Sequence, residues 1–223
     1  LSGERSSFFF VILFIFICVV LLNINFKLKL AYFSSILLIL IIILSLSSNL
    51  SNRYLFDKNN KINIKLNNKE FIIFTAQHTA HYLSGFRMFL DKPLIGQGPK
   101  MFRSLCDDKN FEVMVRNKHS CSSHPHNTYV QLLAETGIIG VLLFSMGFFH
   151  ITYIFIKQLI FKLIFKKKSL NNYQILIGVS AFLVFWPFSP NGNFFNNWML
   201  IVNAFPIGFY VAEFFKYYNY KKK

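Results

Sequence analysis

Phe8-Phe9-Phe10-Val11-Ile12-Leu13-Phe14-Ile15-Phe16-Ile17-Cys18-Val19-Val20-Leu21-Leu22 is fifteen residues without a charge or a strongly polar side chain. Four further apolar runs follow: Leu30 to Leu46, Ile138 to Ile156 with its helix running on towards Phe165, Tyr173 to Phe188, and Phe195 to Ala212. A helix of about 20 apolar residues crosses the hydrocarbon core of a bilayer, so the first and fourth runs need tilt or polar flanks to complete them. Hydrophobic residues are 54% of the 223, with 29 Phe, and the excess is gathered into these runs. That distribution predicts an all-α, polytopic integral membrane protein of about five spans rather than a soluble domain. The first run lacks a basic leader and a small-residue cleavage site, so it is not read as a signal peptide. The chain opens at Leu1, without Met and in mid-motif, and we expect the C-terminal part of a longer, N-terminally truncated polytopic protein.

Lysines in short loops set the orientation. Lys27 and Lys29 separate spans one and two. Lys157, Lys162, Lys166, Lys167 and Lys168 separate spans three and four. Lys216, Lys221, Lys222 and Lys223 follow span five. If all five runs cross, these basic segments share one side, the cytoplasmic one, and the uncharged connector Ser189–Asn197 lies opposite. The expected organisation is two spans in 1–48, an extracytoplasmic loop in 49–136, and three spans with a basic tail in 137–223. Most of the +15 net charge is then a cytoplasmic edge against anionic lipid. A nucleic-acid surface would need a soluble basic face with interleaved aromatics, and the sequence offers none.

Within the loop, Asn49 to Lys69 is polar and reads as a linker, with a short alternating stretch at Lys61–Leu66 that allows a strand. Glu70 to Leu90 predicts an amphipathic helix with Phe71, Phe74, Leu83, Phe86 and Leu90 on its apolar face. Pro93 ends it. The glycines of Leu94-Ile95-Gly96-Gln97-Gly98-Pro99 fit a turn, and a Gly-x-Gly this short is only a generic phosphate-loop signal. Cys106 and Cys121 lie in the same external loop, which favours a disulfide closing about 15 residues and contributing about 3 kcal/mol on the chain-entropy account. Cys18, inside a span, reads as packing. Gly137 and Gly140 leave room for a neighbouring helix to approach.

Titratable groups gather on the external side: Arg5 at the mouth of span one, Arg87 on the amphipathic helix, and His124 and His126 at the mouth of span three. Each has a bland reading beside a functional one. Arg5 is an interfacial anchor or a functional cation, and Arg87 a solvated helix face or a phosphate ligand. The histidines are solvent-facing neighbours of an Asn127 or Thr128 helix cap, or chemistry. His119, Cys121, His124 and His126 are four residues of metal-ligating type, but their spacing matches no common zinc pattern and Cys121 has a disulfide partner in prospect, so no metal is assigned. His78 and His81 read as partly exposed polar positions, and His150 as a buried, hydrogen-bonded histidine within span three.

Three ordered motifs resemble one family. Ser2-x-Glu4-Arg5-Ser6 precedes a span. Arg87 precedes Asp91-Lys92-Pro93-Leu94-Ile95-Gly96-x-Gly98. His124-Pro125-His126-Asn127-Thr128-Tyr129-x-Gln131-x-x-x-Glu135-x-Gly137-x-x-Gly140 enters the next span. Over roughly Leu1 to Phe149 this pattern resembles the O-antigen ligase and O-antigen polymerase superfamily. The resemblance implies a GT-C-like fold and a large periplasmic loop in the bacterial inner membrane. The activity it implies is transfer of a glycan from undecaprenyl pyrophosphate to an acceptor hydroxyl: a lipid A–core sugar for a ligase, another lipid-linked unit for a polymerase, or a protein side chain in a related branch. It also implies Arg5 and Arg87 on the pyrophosphate, His126 as general base, and His124, Asn127 and Glu135 as binding or orienting residues, with inversion at the anomeric carbon and neither cofactor nor metal. Arginine suits phosphate because its guanidinium is planar, permanently charged and bidentate. A neutral imidazole suits removal of a proton from a weakly nucleophilic hydroxyl. A lipid transporter without covalent chemistry is the distant alternative. It predicts charged residues along several spans, where only His150 is found.

Overall fold

The computed structural model describes residues 5–46, 76–115, 117–188 and 191–221. Among the described residues there are seven helices: α1 (Arg5–Leu21), α2 (Phe26–Leu46), α3 (Ala76–Asp91), α4 (Phe102–Leu105), α5 (Thr128–Leu163), α6 (Asn172–Val184) and α7 (Asn197–Lys221). A short antiparallel hairpin, β1 (Met114–Val115) and β2 (Lys118–His119), pairs Met114 with His119 and Val115 with Lys118, a small departure from an all-α chain. The expected linker at Asn49–Lys69, its Lys61–Leu66 strand and the first turns of the Glu70–Leu90 helix lie outside the described residues. Thr128–Leu163 and Asn197–Lys216 are long and apolar enough to cross a membrane, and Phe9–Leu21 and Asn172–Val184 are shorter apolar helices.

The chain divides into two compact units, and α5 and α7 contribute to both. The first comprises Leu1–Asn59, Phe149–Val184 and Phe205–Lys223. Its polar contacts gather at one end. The Asn23 backbone N–H donates to Asn172 Oδ1 at 2.9 Å, and its side-chain amide donates to the Leu170 carbonyl at 2.8 Å. Fully buried Gln158 accepts from the Ser169 and Leu170 N–H groups and donates to Asn23 Oδ1. Lys162 Nζ donates to the carbonyls of Val20, Leu21 and Leu22, and Lys29 Nζ to those of Val19 and Val20. These are the orphan carbonyls at the C-terminus of α1, where cations are favoured. Asn171 and Gln174 bond each other's backbone N–H in a capping box that starts α6. Gln174 also reaches Glu213 on α7, so the three lysine-bearing segments share one end of this unit. His150 departs from expectation: it lies exposed on α5, its ring 6.1 Å from that of Tyr210.

The second unit comprises Asn60–Phe148 and Phe185–Ala204. It is organised by a crossing of two backbones. A Cβ on Gly96 would overlap the backbone of Glu135 and Thr136, and a Cβ on Gly137 would overlap the backbone of Leu94. The loop after α3 therefore lies directly on the chain of α5. Gly137 adopts φ 64°, ψ −162°, a region essentially closed to residues with a side chain, and it interrupts the helix. The N–H groups freed by that interruption are not orphaned: Ile138 donates to the Pro93 carbonyl at 2.8 Å and Ile139 to that of Leu94. From the other side, Gln97 and Gly98 donate to the carbonyls of Ala134 and Glu135. The neighbour admitted by Gly137 is thus a loop, where the sequence suggested a helix, and Gly96-x-Gly98 is a packed turn.

Buried Glu135 fastens the same crossing. Its carboxylate accepts from the N–H of Lys100 at 3.0 Å, the N–H of Phe102 at 2.9 Å and Nε2 of Gln131 at 3.0 Å. Met88, Phe102, Cys106, Phe111 and Ala134 form the apolar core beneath it. Cys106 and Cys121 are joined as a disulfide with Cα atoms 4.8 Å apart, tying the far end of the loop to that core. Gly137→Ala is expected to lower stability by about 2–5 kcal/mol, from forbidden backbone geometry plus overlap with Leu94. Gly208, in α7 with nothing within 4 Å of a built Cβ, is the control. Unfolding midpoints in detergent should fall for Gly137→Ala and hold or rise for Gly208→Ala. Equal midpoints would contradict the crossing.

Candidate active site

Helix α3 buries an unexpected face. Leu83, Phe86 and Leu90 are 45%, 49% and 60% exposed, while Ala80, His81, Ser84, Gly85 and Met88 are buried. The apolar face expected from periodicity is therefore the outer one. The inner stripe is small and polar because α3 packs closely on α5: a Cβ on Gly85 would come within 2.8 Å of Val130 Cγ1. That approach carries His78 and His81 towards the start of α5. His81 is fully buried and His78 half-buried, so His81 is not the partly exposed position its sequence suggested.

The segment His124-Pro125-His126-Asn127 meets them there. His124 lies in a bend before Pro125, and His126 takes φ 60°, an uncommon left-handed conformation for a residue with a side chain. The reversal brings the rings of His124 and His126 to 4.2 Å, centroid to centroid. His126 lies 5.4 Å from both His78 and His81. Four imidazoles thus form one cluster, with Tyr82 stacked beside His78. Asn127 caps α5, its Oδ1 accepting the Val130 N–H at 3.0 Å.

The connector between α6 and α7 closes over this segment. Asn127 Nδ2 donates to the Pro187 carbonyl, and the Asn191 N–H donates to the His126 carbonyl at 2.8 Å. Gln131, buried beneath, donates to Asn193 Oδ1 at 2.8 Å and accepts the Phe194 N–H. Tyr129 Oη donates to the Phe185 carbonyl, and the Tyr129, Phe185 and Phe194 rings surround Phe144. One network therefore runs from Asn193 through Gln131 to Glu135 and the Gly98 loop. His78, His81, Asn191 and Asn193 were not singled out as site residues from sequence. The helical spacing of His78 and His81 was visible, but the asparagines carry no local signal.

Burial and neighbouring imidazoles lower the basicity of His78, His124 and His126. Burial, and after it the neighbouring His124, His78 and His81 in that order of effect, together lower His126 from the usual 6.5 to about 4. Burial and then His81 lower His78. Burial lowers His124, the Asn191 backbone offsets part of this, and His81 adds to it. At about 4 His126 is neutral near pH 7, and a neutral imidazole is a proton acceptor.

The other predicted residues fall elsewhere. Arg87 stands six residues beyond His81, about 9 Å further along the helix and about 120° around it. Its Nη1 donates to the Glu112 carbonyl at 2.7 Å. Arg5 opens α1, in the other unit, and its side chain lies outside the described residues. His119 accepts the Cys121 N–H at Nδ1 and donates from Nε2 to Glu112 at 2.9 Å. With Cys121 in a disulfide, His119 and Cys121 are thus drawn away from His124 and His126.

A family model described as O-antigen ligase matches residues 1–145. No curated protein and no solved structure matches the chain significantly.

The lowered imidazoles give stability a pH dependence. Between pH 6.5 and about 4 the unfolded chain holds a proton on His126 that the folded chain releases, so stability is full above that window and falls as pH drops through it. Unfolding midpoints in detergent should decline across this range, and less steeply in His126→Gln. Parallel declines in the two proteins would contradict the assigned cause.

Proposed function

The chain belongs to the O-antigen ligase family, and on that premise we propose that it transfers a glycan from undecaprenyl pyrophosphate to a hydroxyl of lipid A–core at the periplasmic face of a bacterial inner membrane. At the coarser level it is a glycosyltransferase-like membrane enzyme of surface-polysaccharide biosynthesis. The observation that carries the finer reading is the neutral His126 within an imidazole cluster, at the start of the longest membrane-capable helix.

In this reading the acceptor oxygen attacks the anomeric carbon from the face opposite the pyrophosphate, inverting it. The bond to the pyrophosphate oxygen breaks, and the acceptor's proton passes to His126. Pyrophosphate is already a good leaving group, so the step needs charge stabilisation more than an acid or a metal. A value near 4 makes His126 by itself a weak base. The negative charge of a bound diphosphate raises it towards the working pH, which couples base strength to donor binding. Arg5 and Arg87 are assigned to the diphosphate. Arg87 has the exposure that role needs, and its Glu112 contact fixes one edge of the guanidinium.

His126→Ala should lower transfer by about 100-fold or more in a complementation or lipid-linked donor assay. Arg87→Lys, which keeps charge but loses the planar fork, should raise the donor KM by about tenfold. Full activity of His126→Ala removes the base. An unchanged donor KM in Arg87→Lys leaves Arg87 with its Glu112 contact alone. Capped long chains accumulating on the carrier mark loss of a ligase, and single-repeat units on the core mark loss of a polymerase.

A further inference from the structure

His81 is fully buried, and its Nδ1 lies 2.7 Å from the Ser120 carbonyl oxygen. A carbonyl only accepts, so Nδ1 carries the hydrogen and the neutral ring keeps its lone pair on Nε2. The Nε2 atom has no solvent contact and no hydrogen-bond partner among the described residues. Leaving a buried acceptor unpaired is unfavourable, and such groups in native structures call for an explanation. Nε2 sits across the ring from Nδ1, away from Ser120. The ring of His126 is 5.4 Å away, nearer than that of His78 at 6.2 Å.

The carbonyl that orients His81 is itself fixed. Ser120 is buried, its hydroxyl accepts the Val113 N–H at 2.9 Å and donates to the Cys106 carbonyl at 3.3 Å, and the next residue is bonded to Cys106. The disulfide, the hairpin and the apolar core thus hold one lone pair in place. The groups packed around His81 are His78 from its own helix, His126 and His124 from the facing segment, and the Ser120 carbonyl.

We propose that His81 is a positioning residue for His126: pinned by Ser120, its Nε2 accepts the N–H of His126 while the other nitrogen of His126 takes the acceptor's proton. The bond between the two rings forms as donor and acceptor settle, since catalytic hydrogen bonds are often loose in an empty site. The two rings then hold one tautomer of His126 with its free lone pair towards the sugar hydroxyl. The proton taken from the hydroxyl stays on His126 until solvent removes it, and no further reactant is required. This inference rests on the reading of His126 as the base.

Two substitutions in the intact protein separate the halves of the imidazole. His81→Asn keeps a donor for Ser120 and deletes the Nε2 lone pair, whereas His81→Gln places an amide oxygen near the Nε2 position. Both should keep the donor KM within about threefold, with kcat about 100-fold lower in His81→Asn and at least about tenfold better in His81→Gln. The acid limb of the kcat profile, which reports the substrate-bound enzyme, should move to lower pH in His81→Asn, because the imidazolium of His126 loses the acceptor that stabilises it. Wild-type kcat and limb in His81→Asn would overturn the proposal, as would His81→Gln no better than His81→Asn. A lowered unfolding midpoint with an unmoved limb assigns His81 to packing and overturns it too. His126→Ala is the separate control. If it is active, the base reading itself falls. If it is inactive while His81→Asn is unaltered, only the positioning role falls.

Discussion

The contact of the Leu94–Gly98 backbone with the backbone of Glu135–Gly137 is the constraint on which the rest of the loop unit depends. Two chains meet there without side chains between them, so both positions must be glycine and one must adopt a glycine-only conformation. The interruption at Gly137 frees N–H groups that only the Pro93 and Leu94 carbonyls satisfy. Glu135 then clamps the loop through Lys100 and Phe102. Motifs some forty residues apart in sequence are one object in space. Because α3 leads into this loop and the histidine segment leads into α5, fixing the crossing also fixes how His78 and His81 meet His126.

Buried polarity is used in two ways around that crossing. The carboxylate of Glu135 and the amide of Gln131 have their partners supplied by backbone and side chains, and such a satisfied network specifies one arrangement. Nε2 of His81, by contrast, has no hydrogen-bond partner among the described residues. His126 is held neutral by burial and by its neighbouring imidazoles, and it is in a backbone conformation that few residues adopt. The satisfied network is the support that a functional site needs to hold its geometry.

The helices and their rough bounds were legible because uninterrupted apolar runs have few other readings. Pro93 and the Asn127 cap marked ends by known chemistry, whereas the Asn171 cap went unread. The packing of α3 was not legible. Its apolar positions face outward and its buried stripe holds Ala80, His81, Ser84 and Gly85, so periodicity of hydrophobicity selected the wrong face. A helix that approaches another at backbone range needs small residues inside, whatever its apolar side chains do. For the same reason His81 read as a partly exposed position. His150, placed within an apolar run, read as buried although it lies on the outside of α5. The Asn191 and Asn193 contacts depend on a connector some sixty residues from its partners and leave no local trace.

The central claim is that the imidazole cluster is where the glycan changes hands. The most direct measurement is a structure of the intact protein with a non-transferable lipid-diphosphate-sugar analogue and an acceptor sugar. The reading predicts the acceptor hydroxyl within about 3–3.5 Å of a His126 nitrogen and of the anomeric carbon, with the diphosphate on the opposite face of the donor sugar. A donor bound with its anomeric carbon far from His126, and with the four imidazoles touching neither sugar, would contradict it.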